Sequence, residues 1–252
     1  MSILDKILIS KRAELANAKP PATPRPAPAR SLYSALKRPA GQPMRVLAEV
    51  KRASPSAGPI RPNADPVAIA REYAEAGAAA ISVLTDREFF DGSLEFLRPC
   101  RAAVNVPILR KDFLIDPRQI DESGDADAIL LIVAALTPTE LETMLREADA
   151  KGLEALVEVH SMAELDTAMS QPAAPKLLGV NHRDLKTFAI DMTLTEQIAK
   201  RVPDDVVLVA ESGIKTAADV RRLGDAGAHA VLVGETLMRA PSPGAALREL
   251  LA

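Results

Sequence analysis

Several short apolar runs in the chain end in a side chain that could bind a ligand or transfer a proton. The residues at these ends are Glu49, Lys51, Lys111, Glu158, Asn181 and Glu211. An apolar run of this length is typical of a strand buried on both faces, where an unpaired charge is costly. At the carboxyl end of a parallel strand, a charge lies instead at the rim of the sheet, where α/β proteins bind ligands. The pattern therefore predicts that two lysines, three glutamates and an asparagine converge on one site.

The two lysines allow more than one kind of chemistry. Beside glutamates, Lys51 and Lys111 could act as general acids or hold a substrate carboxylate. A desolvated lysine could also form a Schiff base with a carbonyl compound. The alternative is a structural ion pair with Glu49, Glu158 or Glu211 across the mouth of a barrel. The residue types alone leave these choices open, but the shared position at strand ends favours a functional cluster.

Two glycines follow the seventh and eighth apolar runs and predict a phosphate site. Gly213 precedes a helical segment, and Gly234 is followed by Glu235. In α/β barrels the loops after strands seven and eight often bind phosphate through backbone N–H groups, which glycine allows to approach closely. Ser212 and Ser56 could add hydroxyl donors. The alternative is that both glycines only form turns.

Two further residues are placed to contact a ligand. Arg183 lies two residues beyond Asn181, so it has the same orientation, and its guanidinium suits a carboxylate or a phosphate. Its alternative partner is Asp184. Phe90 follows the second run, and in a chain with only 3% aromatic residues it could cover an aromatic ligand. Equally, it could pack the loop against the barrel.

The elements that must position these residues alternate regularly. Predicted strands lie at 46–51, 79–84, 106–111, 128–134, 154–159, 177–181, 206–211 and 230–234. Predicted helices lie between and after them, at 66–77, 93–103, 117–122, 138–150, 161–170, 192–201, 216–226 and 242–251. This alternation predicts an α/β protein with a single (β/α)8 TIM barrel. An open doubly wound sheet is the alternative, but no GxGxxG motif follows the first strand.

A segment of different character precedes the barrel. Helical spacing of apolar residues predicts a helix over 2–18, followed by a proline-rich linker at 20–30 and a short helix at 31–37. We therefore divide the chain into an N-terminal helical extension, 1–45, and a catalytic barrel, 46–252.

Composition excludes several classes of function. A net charge of −3 gives no reason to expect a nucleic-acid partner. The single cysteine, Cys100, rules out an internal disulfide, and the three histidines lack the spacing of metal ligands. Without an apolar stretch of about 20 residues or a signal-peptide core, we expect a cytoplasmic enzyme with no membrane partner. The sequence does not give the oligomeric state, and a monomer is the simplest expectation.

Taken together, the motifs resemble the indole-3-glycerol-phosphate synthase family. The segments that carry this resemblance are AEVKRASPS (48–56), LRKDF (109–113), AILLIVAAL (128–136), LVEVH (156–160), GVNHRDL (179–185), AESGI (210–214) and VGETLM (233–238). The resemblance implies a TIM barrel with an N-terminal helical segment over its mouth. It implies ring closure of 1-(2-carboxyphenylamino)-1-deoxyribulose 5-phosphate, with loss of CO2 and water, to give indole-3-glycerol phosphate. It implies neither a metal nor an organic cofactor.

The resemblance also implies roles for individual residues. Lys111 matches a lysine that acts as general acid at the carbonyl, and Glu158 matches a glutamate that handles protons or stabilises a cationic intermediate. Lys51 matches a lysine near the substrate carboxylate that is implicated in the later dehydration. Glu49, Asn181 and Glu211 complete the catalytic set. Binding of substrate and phosphate is assigned to Ser56, Arg183, Ser212, Gly213, Gly234, Glu235 and Phe90.

The chain departs from the family pattern at three places. Ala57 stands where a lysine is common, His182 replaces a common asparagine, and the segment 118–127 is about two residues short. The first change removes a charge near the mouth, and we expect His182 to point away from the site. Two other functions compete with the synthase: a phosphoribosyl isomerase, which would not need both lysines, and a non-catalytic barrel that binds a phosphorylated ligand.

Overall fold

A closed barrel of eight parallel strands forms the centre of the protein. The computed structural model describes residues 1–16, 30–39, 41–184 and 187–252. The barrel strands are β1 (Arg45–Val50), β2 (Ala80–Leu84), β3 (Ile108–Lys111), β4 (Ala128–Ile132), β5 (Glu154–Val159), β6 (Leu177–Asn181), β7 (Val207–Glu211) and β8 (Ala230–Val233). They pair in chain order, and β8 closes the barrel against β1 with Ala48 opposite Val233. The predicted (β/α)8 fold is therefore confirmed.

Helices surround the barrel and precede it. In chain order they are α1 (Ile3–Ala16), α2 (Leu32–Leu36), α3 (Pro66–Glu75), α4 (Arg87–Phe90), α5 (Leu97–Ala103), α6 (Pro117–Asp121), α7 (Pro138–Ala150), α8 (Met162–Met169), α9 (Leu194–Ala199), α10 (Ala217–Asp225), α11 (Glu235–Arg239) and α12 (Pro243–Leu251). The sequence did not predict α4, α11 or the short ladder between Ala53–Ser54 and Gly58–Pro59. These elements are too short to show a periodic pattern.

The helix ends form as their sequences predict. Asp65, Asp116, Thr137 and Ser242 cap α3, α6, α7 and α12, each accepting a backbone N–H and each followed by proline. Glycines with positive φ follow α3, α7 and α10, namely Gly77, Gly152 and Gly227. The shortened segment 118–127 gives a single turn, α6, and then a 3-10 turn at Glu122–Asp125. Only short helical elements therefore form between β3 and β4.

The N-terminal extension covers both ends of the barrel rather than the mouth alone. By the mouth we mean the end at which the strand carboxyl termini meet. Helix α1 lies at the mouth, where Lys11 is buried and contacts Asp86 at 2.8 Å and Asp112 at 3.1 Å. Helix α2 lies at the opposite end, where Leu32 and Leu36 are fully buried among the inward-facing strand residues.

The extension is therefore anchored at two places, and only α1 matches the segment expected over the mouth. Ser31 and the backbone of Tyr33 donate to the Glu154 carboxylate at 2.7 and 2.8 Å, which fixes α2 to the start of β5. Most of the predicted linker at 20–30, and the end of the predicted helix at 17–18, lie outside the described residues.

Candidate active site

One cavity of about 930 Å³ at the mouth is lined by every residue that the sequence assigned to the site. These are Glu49, Lys51, Ser56, Phe90, Lys111, Glu158, Asn181, Arg183, Glu211, Ser212, Gly213, Gly234 and Glu235. Side chains alternate along a strand, so the inward-facing positions of the eight strands bring residues from distant parts of the chain to one wall. The structure thus brings the predicted set together, while the individual roles stay predictions.

Lys111 stands at the centre of an acidic cluster on the cavity floor. Its Nζ lies 3.0 Å from Glu158 Oε2 and 3.6 Å from Glu211 Oε2. Asn181 Nδ2 donates to Glu158 Oε1 at 3.1 Å, so both oxygens of that carboxylate have a donor. The lysine side chain is 15% exposed and the two glutamates are almost fully buried. The ion pairs considered from the sequence are therefore present, and they form inside the cavity.

Charge and burial shift the pKa values of Lys111, Glu158 and Glu211 in different directions. Burial by itself lowers the pKa of Lys111, but Glu158, Glu211 and Glu49 outweigh it and hold that pKa above its ordinary value. Burial raises the pKa of Glu158, but Lys111 reverses this and holds it well below the usual range. For Glu211, burial and the neighbouring Glu158 together raise the pKa to about 8. Within this cluster, charge and burial therefore favour an ionised Glu158 beside the Lys111 ammonium and favour the protonated form of Glu211.

A second ion pair occupies the adjacent part of the floor. Lys51 Nζ contacts Glu49 Oε1 at 2.7 Å, and the lysine side chain is 18% exposed. Gly234 provides the room for this pair, since a β-carbon there would lie 2.5 Å from Glu49 Oε1. Any larger residue at position 234 would therefore displace the carboxylate.

The loop after β7 approaches the cavity through an unusual backbone. Ser212 and Gly213 both have positive φ, at 68° and 82°, which the glycine tolerates and the serine adopts at a cost. A β-carbon on Gly213 would lie 2.7 Å from Ile190 Cγ2 of the neighbouring loop. Gly213 therefore packs closely against Ile190, while its approach to a phosphate stays a prediction.

Two histidines that the sequence set aside lie beside the cluster. The buried His182 ring contacts the Ser212 carbonyl at 2.9 Å and Thr195 Oγ1 at 2.7 Å, away from the cavity, as expected. His160 does not line the cavity, but its Nε2 is 3.1 Å from Glu158 Oε1. From the sequence we expect His160 to be a loop residue or to support the site rather than to act as a catalytic base, and its position two residues after Glu158 gives it the same orientation.

Apolar side chains form the wall opposite the charged floor. The rings of Phe90 and Phe113 have centroids 6.0 Å apart, and both line the cavity. Ile3, Leu4 and Ile7 of α1 complete this wall. The sequence predicted Phe90 but not Phe113, although Phe113 lies two residues after Lys111 and so faces inward by the same alternation.

Several other lining residues were missed. They are Ser54, Phe188, Ile190, Lys215, Thr236 and Arg239. Phe188 and Ile190 are exposed large apolar residues, at 39% and 43%, and this exposure is visible only in the structure. Glu235 lines the cavity but its carboxylate pairs with Arg239 at 2.9 Å, so its side chain is already partnered.

Neither a metal centre nor a membrane-crossing helix occurs among the described residues. Within 1–16, 30–39, 41–184 and 187–252, no group of three or more His, Cys, Asp or Glu side chains is arranged to hold a metal ion. In that part of the chain no helix has the length and apolar character needed to cross a membrane. Cys100 is buried, and burial raises its pKa to about 12, so its thiol is not activated.

The chain is similar to known proteins over nearly its whole length. The sequence profile of the indole-3-glycerol phosphate synthase family matches residues 4–250. The chain belongs to this family. Among similar synthases, the protein named indole-3-glycerol phosphate synthase from Chlorobium luteolum is 49% identical over 250 residues, covering 94% of this chain and 93% of its own length. The synthase of that name from Geobacillus thermodenitrificans is 47% identical, with 94% and 92% covered.

Solved structures relate the synthase fold to other barrels. Thiamine phosphate pyrophosphorylase from Pyrococcus furiosus superposes with a TM-score of 0.63 at 20% identity, covering 87% of this chain and 96% of its own. Orotidine 5'-monophosphate decarboxylase from Sulfolobus solfataricus gives the same TM-score at 15% identity, with 82% and 96% covered. At these identities the likeness shows the shared TIM barrel alone.

Proposed function

We propose that this chain converts 1-(2-carboxyphenylamino)-1-deoxyribulose 5-phosphate to indole-3-glycerol phosphate, CO2 and water. The observation that carries the proposal is the Lys111–Glu158–Glu211 cluster on the floor of a cavity that is also lined by apolar side chains and by Gly213 and Gly234. The substrate has matching parts: an aromatic carboxylate, a ketone and a phosphate. Family membership supports the same assignment.

We assign the substrate's ends from the chemistry of the walls. The phosphate lies against the backbone at Gly213 and Gly234, with Ser212 as hydroxyl donor and Arg183 as countercharge. The aromatic ring packs on Phe90, Phe113 and the apolar residues of α1. The ring carboxylate then faces the ammonium of Lys51, which is held at the cavity floor by Glu49. This arrangement places the ketone over Lys111.

Ring closure then needs one acid and one carboxylate. The aromatic carbon that carries the carboxyl group attacks the ketone carbon, and the ketone oxygen gains negative charge as its π bond breaks. Lys111 donates its proton to that oxygen, which becomes a hydroxyl group. Positive charge develops on the ring nitrogen system at the same time, and the ionised Glu158 stabilises it. Loss of CO2 returns the bonding electrons to the ring and restores aromaticity.

Dehydration completes the indole. The new hydroxyl leaves as water after gaining a proton, and a proton passes from the neighbouring carbon to the Glu49 carboxylate, so the electron pair of that C–H bond forms the new double bond of the five-membered ring. We assign the protonation to Lys51 or Lys111, and the network around the leaving hydroxyl to Glu49, Asn181 and Glu211. All steps are proton transfers, bond formation to carbon or loss of a neutral molecule, so the proposed reaction uses no cofactor.

The working context of the enzyme is part of the same proposal. We place it in the cytoplasm, acting as a monomer on a small phosphorylated substrate with no nucleic-acid or membrane partner. A net charge of −3 and the absence of a membrane-crossing helix in the described residues are consistent with this placement.

Turnover tests the proposal directly. The purified chain is given the synthetic substrate, indole formation is followed by fluorescence, and the product and CO2 are identified by mass spectrometry. We expect saturable production of indole-3-glycerol phosphate without added metal, including in the presence of a chelator. Binding without turnover would favour a phospho-ligand-binding barrel, and an isomerised product that keeps its carboxyl group would favour an isomerase.

A further inference from the structure

His160 lies directly behind the acidic cluster and between two carboxylates. It follows β5 and its side chain is only 7% exposed. One ring nitrogen, Nε2, is 3.1 Å from Glu158 Oε1, and the other, Nδ1, is 3.1 Å from Glu164 Oε2. Nδ1 is within hydrogen-bond distance of Glu164, whereas Nε2 makes an ion-pair contact with Glu158 that lacks hydrogen-bond geometry. A neutral ring would still turn an unprotonated nitrogen toward one of the two carboxylates. The geometry therefore favours a charged imidazolium.

Glu164 is itself held in place to receive this charge. It is the third residue of α8, whose N-cap Ser161 accepts its backbone N–H at 3.2 Å. The same Glu164 oxygen that faces the imidazole also accepts the His160 backbone N–H, at 2.8 Å. The first turn of α8 thus fixes a carboxylate on the far side of the ring, and a negative charge is favourable there.

Electrostatics agree with the geometry. Burial by itself lowers the pKa of His160, but Glu158 and Glu164 outweigh it and raise the pKa to about 10. Glu158 is the better supported of the two cluster glutamates, since Lys111, His160 and Asn181 all contact it. Glu211, by contrast, contacts Lys111 Nζ at the longer distance of 3.6 Å. This asymmetry distinguishes two carboxyl groups that otherwise face the same ammonium.

We propose that His160, braced by Glu164, is a positioning residue that keeps Glu158 ionised and leaves the proton of the carboxyl pair on Glu211. This inference rests on the proposed function for its catalytic consequence. An ionised Glu158 stabilises the cationic intermediate and holds Lys111 charged, ready to donate. Without the imidazolium, the two glutamates become more alike, the proton is shared between them, and Glu158 loses part of its charge.

The ionisation of Glu158 depends on every charged group around Glu158 and His160. Glu158 and Glu164 face His160, whereas Lys111, His160, Asn181 and Glu211 face Glu158. Glu49 also acts on Lys111 and Glu211. A neutral substitute for His160 removes one positive charge next to Glu158 and leaves the others in place. The pKa of Glu158 must then rise toward its ordinary value, by about one unit or more for a charge at this distance.

The first test reads Glu158 without any substrate. Carboxyl carbons of glutamate are labelled, and their NMR titration is compared between the wild-type protein and His160→Gln, with Glu158 assigned from the signal missing in Glu158→Gln. Glutamine keeps a donor beside Glu158 but carries no charge. We expect the Glu158 titration to move up by about one pH unit or more in His160→Gln. An unchanged titration would overturn the proposal, whether or not the protein turns over the substrate.

The second test reads catalysis. In His160→Gln the acidic limb of the kcat profile should move to higher pH by a similar amount, while KM changes little because His160 does not line the cavity. Glu164→Gln should shift the limb in the same direction by less, and it keeps the proposal testable if His160→Gln does not fold. His229→Gln, at the opposite end of the barrel, is the matched control. A uniform fall in kcat with an unmoved limb would reduce His160 to a structural role.

Discussion

Replacing Lys111 with methionine is the sharpest perturbation of the proposed reaction. Methionine keeps most of the side-chain volume but removes the ammonium that lies 3.0 Å from Glu158 and 3.6 Å from Glu211. It therefore removes the acid and leaves the cavity shape. If Lys111 protonates the ketone oxygen, its loss should lower kcat by about 10²–10⁴-fold, the contribution typical of general acid catalysis. This corresponds to an increase of about 3–5 kcal/mol in barrier height.

The fold should survive this change, so the loss can be read as catalytic. Removing one partner of a buried ion pair costs about 3–5 kcal/mol when the remaining charge has no other support. Here Glu158 keeps contacts to Asn181 and His160, and the raised pKa of Glu211 favours its uncharged form. The cost should therefore fall below that range, and substrate binding should remain measurable.

The assay is steady-state fluorescence of indole-3-glycerol phosphate, with kcat and KM measured separately and the fold checked by circular dichroism. Lys176→Met, which removes an exposed ion pair to Asp205, is the matched control and should retain normal kcat. Lys111→Arg adds a second comparison, because arginine keeps the charge but does not release its proton. A folded Lys111→Met protein with kcat within tenfold of the wild type would refute the reasoning.

Three further predictions concern neighbouring groups. Gly234→Ala should push the Glu49 carboxylate aside and lower kcat/KM by tenfold or more in the same assay, and normal kinetics would show that the close contact is tolerated. Glu211 binds a proton in the folded state between its unfolded pKa of 4.5 and about 8, so its contribution to stability is full below pH 4.5 and is lost as the pH rises through 8. The free energy of unfolding, measured by chemical denaturation at pH 5 and pH 9, should therefore fall less between these two pH values in Glu211→Gln than in the wild type. Equal falls in the two proteins would contradict the raised pKa. Lys11→Met leaves the buried Asp86 without its cation, whereas Asp112 keeps Arg110, so it should lower the unfolding free energy by about 3 kcal/mol and raise KM; neither change would occur if α1 docked by apolar contacts alone.

The positions of the catalytic candidates could be predicted because alternation along strands is a local rule. Lys111, Glu158 and Glu211 each end an apolar run, and in a closed parallel barrel every such end reaches the same mouth. The same rule, applied two residues beyond Lys111 and Glu158, places Phe113 on the cavity wall and His160 beside Glu158. Sequence analysis missed Phe113, whereas it expected His160 to be a loop or supporting residue.

Other features depend on contacts that no local pattern encodes. The burial of Lys11 between Asp86 and Asp112 joins residues that are some 75 and 101 positions apart, and a lysine on a helix usually faces solvent. The docking of α2 at the far end of the barrel likewise depends on Glu154, and nothing in the sequence distinguishes this glutamate from any other acidic residue at the start of a strand. The sequence therefore predicts a helical segment over the mouth, which α1 provides, but it does not predict the position of α2.

The position of Lys111 Nζ relative to the substrate's ketone oxygen decides whether this lysine is the acid of ring closure, and the structure of a complex shows that position. The protein is crystallised with an unreactive analogue in which the ketone is reduced to an alcohol. We predict that Lys111 Nζ lies within hydrogen-bond distance of that alcohol oxygen, with the phosphate against Gly213 and Gly234. An analogue whose alcohol oxygen contacts neither Lys111 nor Glu158, or whose phosphate binds elsewhere, would contradict the account.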